Sequence, residues 1–261
     1  MRILFDKYHG TGNDFIMVDI RNHAISDDPD IIAYLCHRRF GVGADGLIFL
    51  DNSAEHDFSM RYFNADGHEA SMCGNGGRCI AAFASSLGII QNTSVFEAAD
   101  GLHTAEIMSA DGPSAMVKLK MADVRGSEWS GDEIFLDTGS PHLVKYSPGV
   151  KNIDVLNEGR KIRMQKRFGP GGTNVNFVEE NPSGLYIRTY ERGVEEETYS
   201  CGTGATAAAL AWSVRNNISS PVKLNSPGGS LLVHFKREGP DFTNIYLEGP
   251  AKHVYSGEIE I

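Results

Sequence analysis

The chain has 261 residues, 41% hydrophobic and 22% charged, and 34 acidic against 24 basic side chains leave a formal charge of −10. That length suits two domains of about 130 residues better than one core, and the composition is that of an ordinary folded protein. The basic residues are scattered, which argues against a nucleic-acid or anionic-membrane partner, and neither a signal peptide nor a run of roughly 20 apolar residues is present, so a cytoplasmic protein is expected.

In chain order, FIMVDI (from Phe15), LIFL (from Leu47), FSMRYF (from Phe58) and HTAEIM (from His103) alternate as strands do and are separated by Gly, Asn and Asp. A helix over residues 28–38 and the loop GVGADG (from Gly41) fall between the first two of them. After FNADG (from Phe63), the string CGNGGR opens a helix in which Ile80, Phe83, Ala84 and Leu87 recur at helical spacing before a stop at Gly88. In the second half CGTGAT opens another, TAAALAWSV (from Thr206), which is apolar on nearly all sides. One helix of this kind per half is expected. Helices that apolar must be buried.

The two cysteine strings belong to an internal repeat. YFNADGHEASMCGNGG (from Tyr62) and YERGVEEETYSCGTGA (from Tyr190) superpose without a gap at an offset of 201 − 73 = 128 residues. At that offset Glu69 meets Glu197, Gly101 meets Gly229, and MVKLKM (from Met116) meets NIYLEG (from Asn244). Upstream, TGNDFIMVD (from Thr11) matches TNVNFVEE (from Thr173) at a shift of about 162, which implies a loop roughly 34 residues longer in the first half. The expectation is an α/β (α+β) fold of two pseudo-symmetric duplicated domains. Each would be a curved, mostly antiparallel sheet around one central helix, with the active site in the cleft between domains. The boundaries fall at residues 1–117, joined by a C-terminal strand 248–261, and at residues 118–247.

Four cysteines without CxxC spacing do not make a disulfide framework. Cys79 matches Ala207 in the repeat and Cys36 lies in the first helix, so both read as packing residues. Cys73 and Cys201 stand apart because each directly precedes a Gly-x-Gly helix start. The first turn of a helix presents unpaired N–H groups and about half a positive charge, which favour thiolate over thiol and also bind carboxylate. Other chemistries lack their signatures. Gly202–Ala207 fits GxGxxA, yet no acidic residue follows until Glu238 to hold a ribose, and GVGADG precedes its strand instead of following one. No phosphate loop, GxSxG or HExxH string occurs, so neither a metal nor a nucleotide cofactor is expected.

Two duplicated domains facing one another would set the two sulfurs on opposite sides of a bound carbon. That geometry suits inversion: one thiolate removes the α-proton while the opposite thiol supplies a proton to the other face. The substrate carboxylate would lie against the helix ends, where fixed N–H donors oppose developing charge.

HGTGNDF (from His9), FNADG, MCGNGGR (from Met72), SPH (from Ser140), YERG and SCGTGA (from Ser200) occur in the order and approximate spacing of diaminopimelate epimerases, and the chain resembles that family over nearly its whole length. The resemblance implies interconversion of LL- and meso-diaminopimelate in the lysine and peptidoglycan pathway, without metal or coenzyme, by a homodimer. It implies Cys73 and Cys201 as acid/base pair, with Gly74, Asn75, Gly202 and Thr203 at the reacting carboxylate. Asn13, Asn64, Asn174, Glu191 and Arg192 would read the amino groups and the distal carboxylate, and His142 and Glu191 would tune the thiols. The chain departs from some family members at Gly46, where they carry Gln, at Ser140, where they carry Asn, and in a segment between Glu191 and Cys201 that is one residue longer. Rival readings are a proline or hydroxyproline racemase, a phenazine-type isomerase lacking the paired cysteines, a binding module for a dicarboxylate, and a thiol redox sensor.

Overall fold

Short apolar strands and one buried, glycine-led helix organise each half of the chain in the same way. A computed structural model describes residues 2–261, the Trp129 side chain excepted. The chain divides into two units, one of residues up to Leu119 together with Gly249–Ile261, the other Lys120–Glu248. In chain order the first unit holds β1 (Arg2–Gly10), β2 (Asn13–Asp19), α1 (Pro29–Cys36), β3 (Gly46–Asp51), β4 (Phe58–Asn64), β5 (Glu69–Ala70), α2 (Gly74–Ser86), β6 (Thr93–Ala98), β7 (Gly101–Asp111) and β8 (Ser114–Lys120). The second holds β9 (Glu128–Ser130), β10 (Glu133–Asp137), β11 (Pro141–Tyr146), α3 (Val155–Arg163), β12 (Asn174–Asn181), β13 (Gly184–Glu191), β14 (Glu196–Thr198), α4 (Gly202–Asn216), β15 (Val222–Ser226) and β16 (Gly229–Glu238). The last strand, β17 (Asp241–Glu260), begins in the second unit and ends in the first.

Strand pairing in the first unit closes on itself. β1 pairs with β2, β2 with β3, β3 with β4, β4 with β6, β6 with β7, β7 with β8, β8 with the end of β17, and that end with β1. Only β2–β3 and β4–β6 are parallel. A closed circuit has no exposed edge, and it accounts for the burial of every residue of α2 from Gly74 to Ala84. Each parallel step needs a crossover. α1 makes the first, capped by the Asp28 side chain on the Asp30 N–H, with Pro29 in its first turn. It packs Ile32, Leu35 and Cys36 against Ile3, Phe5, Ile16 and Val18. α2 makes the second crossover.

The second unit repeats this order. β11–β12 and β13–β15 are its parallel pairs, with α3 and α4 as their crossovers. α4 is buried at ten positions, including Ala205 and Ala207–Ala211, as a helix apolar all round requires.

The structure corrects the upstream part of the repeat. β2 and β11 begin at residues 13 and 141, and β3 and β12 at residues 46 and 174, so the 128-residue offset holds from the first paired strands onward. The counterpart of β12 is β3, not β2, and the alignment at a shift of about 162 joined two strands that share letters but not position. The first half therefore has no 34-residue insertion, and the second unit carries a helix, α3, that answers α1 of the first and that the sequence reading does not include. α3 leaves little mark in the sequence because its buried stripe is only Val155 and Ile162 with Gly159 between them. Gly159 reads as a helix breaker, yet an added Cβ there would sit 2.4 Å from the Tyr190 Cβ. The glycine is the helix's contact surface.

Candidate active site

Each helix that follows a cysteine begins in the same way. Cys73 (φ −102°) and Cys201 (φ −115°) are extended N-cap residues, and Gly74 and Gly202 are the first helical positions. Small residues are needed behind them. A Cβ on Gly76 would lie 3.3 Å from the Cys73 Sγ, and one on Gly204 only 2.4 Å from the Asn176 Oδ1.

Around Cys73, hydrogen bonds fix the direction of each amide. The Gly76 N–H donates to the Cys73 Sγ at 3.2 Å. The Asn13 Nδ2 donates to the Asp45 carboxylate at 2.7 Å, so its Oδ1 must face the other way. There it accepts from the Asn75 Nδ2 at 3.2 Å and lies 3.9 Å from the Cys73 Sγ. The sulfur thus has a donor on one side and an acceptor on the other, an arrangement that can hold a thiol or a thiolate. Asp45 is itself bound by Arg38, which also grips Asp14, and Lys7 completes that network at 2.7 Å from Asp14. Burial alone would push Asp14 up, but Arg38 and Lys7 outweigh it and hold its carboxyl at about 2.

Around Cys201 the corresponding polar group is a histidine. The His142 ring is fully buried, and burial, with the Arg192 charge adding to it, pushes the imidazole down to about 3, so it is neutral. Its tautomer follows from Asn176. That side chain accepts from the Thr189 hydroxyl at 2.9 Å and donates to the Leu143 carbonyl at 3.1 Å, which turns its Nδ2 toward the His142 Nδ1 at 3.1 Å. The Nδ1 is therefore the acceptor, and the Nε2–H donates to the Thr203 Oγ1 at 2.9 Å. The Thr203 hydroxyl is left to turn its own hydrogen toward the Cys201 Sγ, 3.4 Å away.

The residues singled out by the sequence fall into two groups. Asn13, Gly74 and Asn75 adjoin Cys73. Gly202, Thr203 and His142 adjoin Cys201. Asn174 donates to the Ser140 Oγ at 2.9 Å and accepts the Arg192 N–H at 2.8 Å, which joins Ser140, Asn174 and Arg192 in one patch at the end of β13, beside Glu191. Asn64 is exposed at the end of β4 opposite Gly46, and its side chain makes no hydrogen bond among the described residues. Gly46 has no room for a side chain such as the Gln that the family resemblance leads one to expect: an added Cβ would meet the Tyr62 ring and the Phe63 carbonyl at 2.5 Å. Tyr62 fills that space. The GVGADG loop wraps the end of α1, with the Val42 and Gly43 N–H groups donating to the Leu35 carbonyl, and leads into the strand β3 instead of a helix. Cys36 and Cys79 are buried, with burial pushing the Cys36 thiol up to about 12 and Cys79 higher still. Asn176 and Arg78 carried no signal in the sequence beyond lying in matched strings.

The family model for diaminopimelate epimerase matches residues 5–125 and 134–254. The chain belongs to the diaminopimelate epimerase family. A diaminopimelate epimerase of Flavobacterium psychrophilum is 48% identical over 97% of this chain and 98% of its own, and one of Chlorobaculum tepidum is 43% identical over 97% and 99%. Membership in the diaminopimelate epimerase family makes the chain an isomerase. Among solved structures, the fold is shared with a Bacillus anthracis phenazine biosynthesis protein of the PhzF family (TM-score 0.77, 14% identity, all of both chains). It is shared also with a hydroxyproline epimerase of Agrobacterium vitis (TM-score 0.71, 14% identity, 99% and 92%). These likenesses concern the duplicated epimerase fold alone. Among the described residues no helix is long and apolar enough to cross a membrane, and no three metal-ligating side chains cluster.

Proposed function

We propose that the chain interconverts LL- and meso-diaminopimelate, without coenzyme, by a two-base exchange between Cys73 and Cys201, and so serves lysine and peptidoglycan precursor synthesis. The observation that carries the reading is the equivalence of the two cysteines: each is the extended N-cap of a buried helix, at matching positions of a repeat, in a chain of this family. In one direction a thiolate takes the α-proton, the electron pair passes into the carboxylate as an enediolate, and the opposite thiol returns a proton to the other face. The enzyme is left with its thiol and thiolate exchanged, ready for the reverse reaction. N–H groups of the first turns, at Gly74, Asn75, Gly202 and Thr203, would oppose the developing charge. Asn13, Asn64, Asn174, Glu191 and Arg192 would hold the amino groups and the distal carboxylate, Arg192 as a two-pronged donor.

Incubation with LL-diaminopimelate in D2O, following α-deuterium and isomer ratio, tests this. Wild type is expected to exchange and epimerise with no added cofactor, and Cys73→Ala and Cys201→Ala each to lose epimerisation by at least about a thousandfold. Inert wild type under reducing conditions, or a single variant that still epimerises, overturns the reading.

A further inference from the structure

Among the described residues Arg78 is the largest side chain buried completely, and none of its hydrogen-bond partners is acidic. Its Nη1 donates to the Gly74 carbonyl at 3.0 Å and its Nη2 to the Asn75 Oδ1 at 2.8 Å, with the Thr11 hydroxyl at 3.4 Å. Its Nε has no partner among the described residues. From β1, Gly10 lies against the guanidinium. Burial pushes Arg78 below its usual range, and the titratable groups opposing that are Cys79 and Cys73, both on its own helix or at its start. A buried cation without a counter-ion is costly and stabilises whatever negative charge forms near it.

The repeat shows that the fold does not need this charge. The residue 128 positions on is Thr206, also fully buried, and its hydroxyl donates to the Gly202 carbonyl at 3.0 Å, the same bond that Arg78 makes to Gly74. A neutral hydroxyl backs the first turn of α4, while a guanidinium backs that of α2.

We propose that Arg78 is a positioning residue for Cys73, supplying the positive charge that favours the thiolate and, by gripping the Asn75 Oδ1, aiming the Asn75 amide at Asn13 beside the sulfur. In the first unit Cys73 faces Asn13 from β2 and the Gly76 N–H and Arg78 from α2, with Cys79 further along the helix; Asp45 stands behind Asn13. This deepens the assignment of Cys73 as a base, and its test needs no substrate.

The experiment is alkylation of the full-length protein by iodoacetamide across pH, with modification at Cys73 and Cys201 counted separately by mass spectrometry. In Arg78→Thr, Cys73 is expected to react about tenfold more slowly at neutral pH, with its midpoint moved up, while Cys201 keeps its own profile. Arg78→Lys, which keeps the charge, should restore most of the rate. If Arg78→Thr does not fold, Arg78→Gln keeps a longer stem and an amide donor without the charge and should show the same slowing. An unchanged Cys73 profile in the neutral variants, or a lysine variant as slow as they are, overturns the proposal. Slowing at Cys73 in a protein that ignores diaminopimelate would uphold Arg78's role while removing the substrate assignment.

Discussion

The same strand position carries opposite electrostatics in the two units. Asp14 and His142 stand 128 residues apart at the starts of β2 and β11, one an ionised carboxylate held by Arg38 and Lys7, the other a neutral buried imidazole. Their pH windows differ accordingly. His142 is lowered from 6.5 to about 3, so the unfolded chain takes up a proton that the folded one refuses; its contribution is complete above pH 6.5 and is lost as pH falls toward 3. Asp14 is lowered from 3.8 to about 2, so what it contributes is kept above 3.8 and lost between there and 2. The second unit is thus expected to weaken first on acidification. Urea midpoints measured from pH 7 to 4 should fall in wild type and fall less in His142→Gln; an identical slope in that variant would refute the assignment. Asp14→Asn removes the counter-ion of the buried Lys7 ammonium, leaving it neutral acceptors such as the Gly43 carbonyl, and should cost about 3 kcal/mol at neutral pH by the same measurement. At this scale the sequence marks Cys73 and Cys201 by their paired positions in the repeat, and both are extended N-caps of buried helices. It was silent at Asn176, whose role is to set a histidine tautomer through three hydrogen bonds. No residue type announces that.

Helices and strands show the same divergence through packing. Gly76 and Gly204 are counterparts, as are the residues they face, Ile48 and Asn176. A methyl at Gly76 would press on the mobile end of Ile48 at 3.1 Å, whereas at Gly204 it would collide with the Asn176 amide at 2.4 Å. Gly204→Ala is expected to lose about 2 kcal/mol and to disturb His142 with it, and Gly76→Ala less than about 1 kcal/mol, since alanine's helix propensity offsets the crowding. Thermal melts compare them directly, and equal losses would contradict the account. The elements themselves are largely legible, because FIMVDI and LIFL are short apolar runs bounded by turn residues, buried on consecutive positions rather than alternately, and helical spacing holds in the run after Cys73. What misled was TGNDF against TNVNF: equivalence in the fold runs through pairing partners, β2 with β3 and β11 with β12, and Gly46 and Asn174 share a place without sharing a letter. α3 was hidden for a related reason, its contact face being a glycine.

For the molecule as a whole, the strand circuit of the first unit is completed by residues 249–261, which lie between β1 and β8. Truncation after Glu248 should open that circuit and leave the first unit open to protease, while the second, which retains its own strands, stays protected. Limited proteolysis with mass mapping reads this out, and a truncated chain whose first unit resists cleavage would disprove it. The Cys73 group sits entirely in the unit that depends on those last thirteen residues.

β17 also sets a timetable. A ribosome releases the N-terminal half early, yet that half lacks its closing strand until residues 249–261 have been made, after the whole second unit, so the order of synthesis and the order of completion are reversed. The nascent first unit must wait with β1 and β8 unpaired on one side while the second unit is translated, and sheet edges left open in this way are where chains associate wrongly. Chaperone demand during synthesis should therefore fall on the half that emerges first.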